Sequence, residues 1–120
     1  FYFKDDALAD PFVSDDQILA FAWATAKELE ILKAQALRIN QVLQKIFLQA
    51  GILLVDFKIE FGRNPAGEIV LADEISPDCA RLWDLKTLEK MDKDRFRRDL
   101  GNIAESYQTL YSRLKEVLHG

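Results

Sequence analysis

The apolar period of this chain changes at Gly51. Before it, Leu32, Ala36, Ile39, Val42, Leu43, Ile46 and Phe47 recur at helical spacing. After it, Val55, Phe57, Ile59 and Phe61 alternate with the charged Asp56, Lys58 and Glu60. A helix brings residues three and four apart onto one face, whereas a strand brings residues two apart onto one face. The chain must therefore pass from a long helix into extended structure, and its fold class is α+β, a small antiparallel hairpin or sheet packed on helices.

Local signals place the other elements. "SDDQ" is a capping box with Ser14 at the N-cap and Gln17 at the third helical position, so a short helix is expected from about Asp15 to Trp23. "TAKE" repeats the device with Thr25 and Glu28, opening the long helix, which Gly51 stops after about Ala50. "FYFK", Phe1 to Lys4, reads as a short strand, and an acidic loop leads from it to Pro11. Ile52–Phe61 and Glu68–Asp73 read as strands joined through "RNPAG", whose turn chemistry makes them a hairpin. Ser76–Asp84 reads as irregular, and a short helix is expected near Thr87–Met91. Asp92 is placed to cap the next helix, Gly101 to break it, and Asn102 to cap a last helix to about Leu118. No internal repeat, low-complexity tract or linker divides the sequence, so residues 1–120 are expected to form a single domain.

With 49% hydrophobic and 30% charged residues, 120 residues can bury one core. A net charge of −4 and a pI near 5.0 argue against a nucleic-acid partner, whose binders carry a basic face. Cys79 is alone, so no internal disulfide is possible; with no leader segment, this points to a reducing, cytoplasmic setting. No apolar run approaches the roughly 20 residues that span a membrane. The opening in "FYFK", without Met, reads as cut from something longer.

The hairpin carries the chemistry. Residues two apart on a strand lie roughly 6.5–7 Å apart, so Asp56, Lys58 and Glu60 would form a charged row about 13 Å long. With a four-residue loop, Asn64 to Gly67, Arg63 pairs with Glu68, Glu60 faces Leu71 and Lys58 faces Asp73. Glu60 and Asp73 then become diagonal neighbours. A five-residue loop would turn Asp73 to the apolar face, because a slip of one residue inverts a strand. Two carboxylates converging from neighbouring strands suit a hard divalent cation, and a lysine beside them suits a phosphate or carboxylate. A solvated polar face on an amphipathic hairpin gives the same pattern without function.

Five stretches carry a resemblance that decides between these readings: "KDDALADP", "LVDFKIEFG", "GEIVLADEISPD", "RLWD" and "MDKDRFRRDLG". In order and over essentially the whole chain, they resemble the C-terminal part of the SAICAR synthetases. The resemblance implies a fold similar to a protein kinase, of which this would be the C-terminal, substrate- and metal-binding lobe, with the N-terminal lobe over ATP absent. It implies an ATP- and Mg²⁺-dependent ligase of purine biosynthesis. Such an enzyme joins L-aspartate to the carboxylate of carboxyaminoimidazole ribonucleotide (CAIR), giving SAICAR, ADP and phosphate. Its partners would be these small molecules, with no nucleic acid and no membrane, in a homo-oligomer. Glu60 and Asp73 correspond to Mg²⁺ ligands. Lys58 corresponds to a contact to the reacting carboxylate or phosphoryl group, and Asp56 to a residue positioning Lys58 or a metal-bound water. Lys4 resembles a nucleotide contact and Asp10 a residue near the cleft. Arg81 resembles a contact to the substrate phosphate, with Asp78 ordering its loop, and Arg97 a contact to a substrate carboxylate. A chain holding this half alone is expected to be inactive. The alternatives are a non-catalytic fragment or interaction domain, and a small-molecule kinase with a related hairpin; the "SPD" loop and Arg81 fit the ligase and have no reason in a kinase.

Other conspicuous residues have plainer readings. Cys79 has no histidine beside it to make a nucleophile, and His119 belongs to the tail. Lys93, Arg95, Arg97 and Arg98 read as helix-surface charge or substrate-anion binding. Trp23 and Trp83 read as packing residues.

Overall fold

The computed structural model describes residues 1–120, the side chain of Phe96 aside. The chain forms two compact units, residues 1–35 and 36–120, and the division falls inside the long helix.

In the first unit a bridge pairs Tyr2 with Phe12, and Phe3 N–H donates to the Pro11 carbonyl over 2.9 Å. "FYFK" is thus extended but makes a single bridge rather than a strand, because the tight 3-10 turn at Asp6–Leu8 brings the chain straight back. Helix α1 runs Asp15–Ala20, shorter than expected; Ala22 at φ 54 takes the left-handed turn that ends it. Both arms of its capping box are made, between Ser14 and Gln17. Val13, Ile18 and Leu29 are buried together, with Phe3, Trp23 and Leu32 packed against them.

Helix α2 spans Ala26–Gln49. Its capping box is also complete: Thr25 N–H donates to Glu28 Oε2 at 2.8 Å, and Glu28 N–H donates to Thr25 Oγ1 at 3.2 Å. Gly51, at φ 69, stops it as expected. Val42, counted in the apolar stripe, is 51% exposed, whereas Phe47 is buried.

The second unit holds two separate two-stranded antiparallel sheets. The expected single strand Ile52–Phe61 is divided: β1 is Ile52–Phe57 and β2 is Glu60–Arg63. β2 pairs with β3, Ile69–Ala72, in the expected hairpin. β1 pairs with β4, Ala80–Asp84, a strand in the segment read as irregular. The β1–β4 register shifts between Leu54 and Asp56, which makes Val55 the extra residue of a bulge. Ile52 and Leu54 are therefore inward before the bulge and Phe57 after it, while Val55, expected in the core, is 40% exposed.

The segment Thr87–Met91 forms no helix. Leu88 adopts φ 60 and Lys90 bridges to Trp83, so the chain turns back along β4. Helix α3 is short, Asp94–Arg97, and α4 runs Ile103–His119. Gly101, at φ 69, separates them. Asn102 precedes α4 in a left-handed conformation and makes no side-chain cap. The core of this unit gathers Phe47 of α2, Ile52 and Leu54 of β1, Ala80 and Leu82 of β4, Met91, and Leu110 of α4. Among the described residues, no helix is long and apolar enough to cross a membrane.

Candidate functional site

The break between β1 and β2 makes the site. Lys58 and Ile59 cross from one sheet to the other, and Lys58 N–H donates to the Cys79 carbonyl over 2.7 Å. This places the end of β1, the start of β2 and the loop after β3 around one hollow of about 180 Å³. Its lining includes Lys58, Glu60, Asp73, Asp78 and Lys93, with Glu74 and Cys79 beside them. Lys58 Nζ lies 3.8 Å from Glu60 Oε1.

Glu60 and Asp73 meet there by a route other than the expected register. Arg63 pairs with Ile69 and Glu60 with Ala72, one residue out from the pairing of Arg63 with Glu68. The loop causes the shift. Asn64 N–H donates to the Glu68 carbonyl and Gly67 N–H to the Asn64 carbonyl, with Gly67 at φ 80. This is the three-residue loop with a left-handed glycine, and it has an odd count. Strand alternation alone would then separate the two carboxylates. β3, however, ends at Ala72, and Asp73 takes φ 68. Asp tolerates that left-handed conformation better than most residues, and Glu74 N–H donates to Asp73 Oδ1 at 2.8 Å. The turn brings Asp73 to the hollow that Glu60 lines.

Asp56 has Arg81 as its partner. Arg81 Nε and Nη2 reach Asp56 Oδ1 and Oδ2 at 2.9 and 2.6 Å, a two-pronged pair across β1 and β4. The carboxylate raises the Arg81 guanidinium still further above its usual range. The bulge at Val55 sets this pair, since it moves Asp56 opposite Arg81.

The loop after β3 is tied to itself. Ser76 N–H donates to Cys79 Sγ, Asp78 N–H to Ser76 Oγ, and Ser76 Oγ to Glu74 Oε1. The Cys79 thiol also donates to the Ser76 carbonyl. Asp78 accepts from Tyr107 Oη at 2.9 Å. Burial first, then the Asp78 carboxylate, pushes the Tyr107 phenol up to about 12.

Lys4 and Asp10 lie in the first unit. Asp10, at φ 47, accepts from Asp5 N–H at 2.9 Å, and Lys4 is exposed. Arg97 ends α3 and is exposed. The hollow adds Lys93, which the sequence pattern left in a basic cluster. Its signal is the buried Asp92 beside it, which fixes the start of α3: Asp92 accepts from Leu82 N–H at 2.6 Å and from Asp94 N–H at 2.8 Å.

Among the described residues, four carboxylates and two ammonium groups line the hollow, a balance that favours a cation. Among the described residues no three or more His, Cys, Asp or Glu side chains gather to hold a metal. Glu60 and Asp73 are among the carboxylates of this lining, which forms no closed cage. That donor set fits Mg²⁺, which is held by one or two carboxylates, with water and substrate phosphates supplying the rest.

Comparison with known proteins identifies the lineage. The SAICAR synthetase family model matches residues 1–114. The chain belongs to the SAICAR synthetase family. It is 55% identical over 117 residues to a phosphoribosylaminoimidazole-succinocarboxamide synthase of Listeria monocytogenes, covering 98% of this chain and 49% of that protein. It is similar in structure to the same synthase from Ehrlichia chaffeensis, with TM-score 0.90 and 48% identity, covering 95% of this chain and 49% of that one. A SAICAR synthetase solved in complex with ADP matches with TM-score 0.90 and 42% identity, over 96% of this chain and 49% of that one. The chain spans about half the length of these SAICAR synthetase relatives. The α+β fold, with small antiparallel sheets packed on helices, is the fold of the matching half of the family.

Proposed function

We propose that this chain is the substrate- and metal-binding lobe of an ATP- and Mg²⁺-dependent ligase. The reaction joins L-aspartate to the carboxylate of CAIR, giving SAICAR, ADP and phosphate. The observation that supports this reading is the hollow lined by Lys58, Glu60 and Asp73, in a chain of the SAICAR synthetase family.

The chemistry sets the roles. A carboxylate is a poor electrophile. Its oxygen takes the γ-phosphoryl group of ATP, releasing ADP, and the amine of aspartate then displaces phosphate from the acyl carbon. Every reactant is an anion, so charge must be screened and the partners oriented. Glu60 and Asp73 would hold Mg²⁺, which when bound neutralises phosphate charge. Lys58, held beside Glu60, orients the reacting carboxylate or the phosphoryl group. Arg81 receives the substrate phosphate, and Asp56 fixes its guanidinium in plane for that contact. Lys93 supplies a second ammonium group at the hollow. Asp78 orders the loop, Arg97 and Asp10 approach substrate, and Lys4 contacts the nucleotide. The half of the relatives' length outside this chain would cover ATP, so these 120 residues alone should not turn over.

The test is calorimetric. Mg²⁺–ATP is titrated into a protein of the relatives' full length carrying this segment, and into its Asp73→Asn variant. Loss of nucleotide-linked metal binding in the variant is expected; equal binding would refute the metal assignment. Normal turnover by the 120-residue chain, assayed with ATP, Mg²⁺, CAIR and aspartate, would refute the division of labour.

A further inference from the structure

We propose that Tyr107 of α4 is a positioning residue for the hollow, holding through Asp78 the loop that forms one of its walls; this rests on the reading of the hollow as a Mg²⁺ site. The loop Glu74–Cys79 is stitched by its own bonds, among Glu74, Ser76, Asp78 and Cys79. Bonds that local set the shape of a loop but not its orientation against the opposite wall. Orientation needs anchors distant in sequence. Cys79 is one, through its carbonyl and Lys58 N–H at 2.7 Å, and Pro77 is another, through its carbonyl and Lys93 N–H at 3.3 Å. The side-chain anchor is the bond from Tyr107 Oη to Asp78 Oδ1, 2.9 Å long and spanning 29 residues.

Tyr107 is well built for that task. Its ring has two torsions and carries its donor at a fixed reach. It stands three residues before Leu110, hence on the same side of α4, and Leu110 is 2% exposed in the core. A donor on a helix fixed by the core thus holds an acidic side chain at the hollow's wall. The wall so held begins with Asp73 and Glu74, across from Lys58 and Glu60.

The test uses Mn²⁺ in place of Mg²⁺, titrated into the chain and followed by the electron paramagnetic resonance of the free ion. Tyr107→Phe removes one hydroxyl and should weaken Mn²⁺ binding roughly 3- to 10-fold, the range of one lost hydrogen bond. Asp78→Ala should weaken it too, and adding Tyr107→Phe to that variant should cost nothing more. Asp78→Asn, equally uncharged but with an oxygen left for the phenol, should bind Mn²⁺ more tightly than Asp78→Ala. A merely structural tyrosine would lower the urea midpoint and leave the affinity of the folded chain unchanged. Unchanged affinity in Tyr107→Phe, with binding lost in Asp73→Asn, overturns the proposal and spares the Mg²⁺ reading. Unchanged affinity in Asp73→Asn overturns both. If Tyr107→Phe does not fold, the Asp78 pair decides, and equal affinities of the Ala and Asn variants overturn the proposal.

Discussion

Asp92 has no exposed surface, yet it stands next in sequence to Lys93, which lines the hollow. A buried carboxylate is tolerable only where donors surround it, and Leu82 N–H and Asp94 N–H supply them at 2.6 and 2.8 Å. Asp92→Ala strands both donors and should cost about 2–4 kcal/mol, measured by urea denaturation. Asp92→Asn keeps one oxygen acceptor and should cost less; equal losses would mean that the bonds are not what matters. Asp73 allows a different separation, of conformation from charge. Asn, like Asp, accepts the left-handed backbone that φ 68 requires, whereas Ala meets a steric penalty of about 1–2 kcal/mol. Asp73→Asn should therefore unfold near the wild-type urea midpoint and Asp73→Ala below it, while both lose metal binding.

Helices α1 and α2 were legible because their signals are local: Ser14 with Gln17, and Thr25 with Glu28, bond within one turn as their spacing requires. Strands were legible only as alternation. Which residue pairs with which depends on the loop count, and the left-handed Gly67 added the residue that shifted β2 against β3. β4 went unread because "ARLWD" follows a proline-containing turn and its partner, β1, lies far back in the chain. The register expected to make Glu60 and Asp73 diagonal neighbours does not form; the two residues line one hollow through a backbone turn at Asp73 that no alternation rule contains. After β4 a further device appears. Asp84 Oδ1 accepts from Lys86 and Thr87 N–H at 2.8 Å each, and Oδ2 accepts from Arg113 at 2.8 Å. The bond from Thr87, then Arg113, then the bond from Lys86 hold this carboxyl far below its usual 3.8. A lowered folded value means stability that is fully present above the unfolded value, and lost as pH falls through the folded one. Asp84→Asn should destabilise the chain by about 1–3 kcal/mol at pH 7. The gap between the two proteins should begin to close as pH falls through about 3.8, the unfolded value. A gap in urea midpoint that stays constant from neutral to acid pH would show that charge at Asp84 contributes nothing.

At the scale of the molecule, burial is unequal. Among the described residues, the core of residues 36–120 gathers eight that are buried, Ile52 and Leu82 at 1% exposure each among them, whereas Val13, Ile18 and Leu29 make the core of residues 1–35. Apolar burial scales with area removed from water, so the smaller cluster opposes opening with less free energy. Native-state hydrogen exchange should resolve the difference. The amide of Trp23, bonded to the Ile18 carbonyl, should exchange through a low-energy local opening. The amide of Met91, bonded to the Leu82 carbonyl, should exchange only through an opening of the larger core. Leu82→Ala leaves a cavity worth about 2–5 kcal/mol. It should accelerate exchange at Met91 by that amount and leave Trp23 unchanged while its local route remains the easier one. Identical exchange free energies at the two amides, falling together in Leu82→Ala, would mean that one cooperative unit covers the whole chain. The distinction bears on the proposed function, because Lys4 and Asp10, proposed there to approach nucleotide and substrate, belong to the first unit, whereas the described residues lining the hollow belong to the second. A metal bound at the hollow should then protect Met91, through the mass-action stabilisation that any native-state ligand confers, before it protects Trp23.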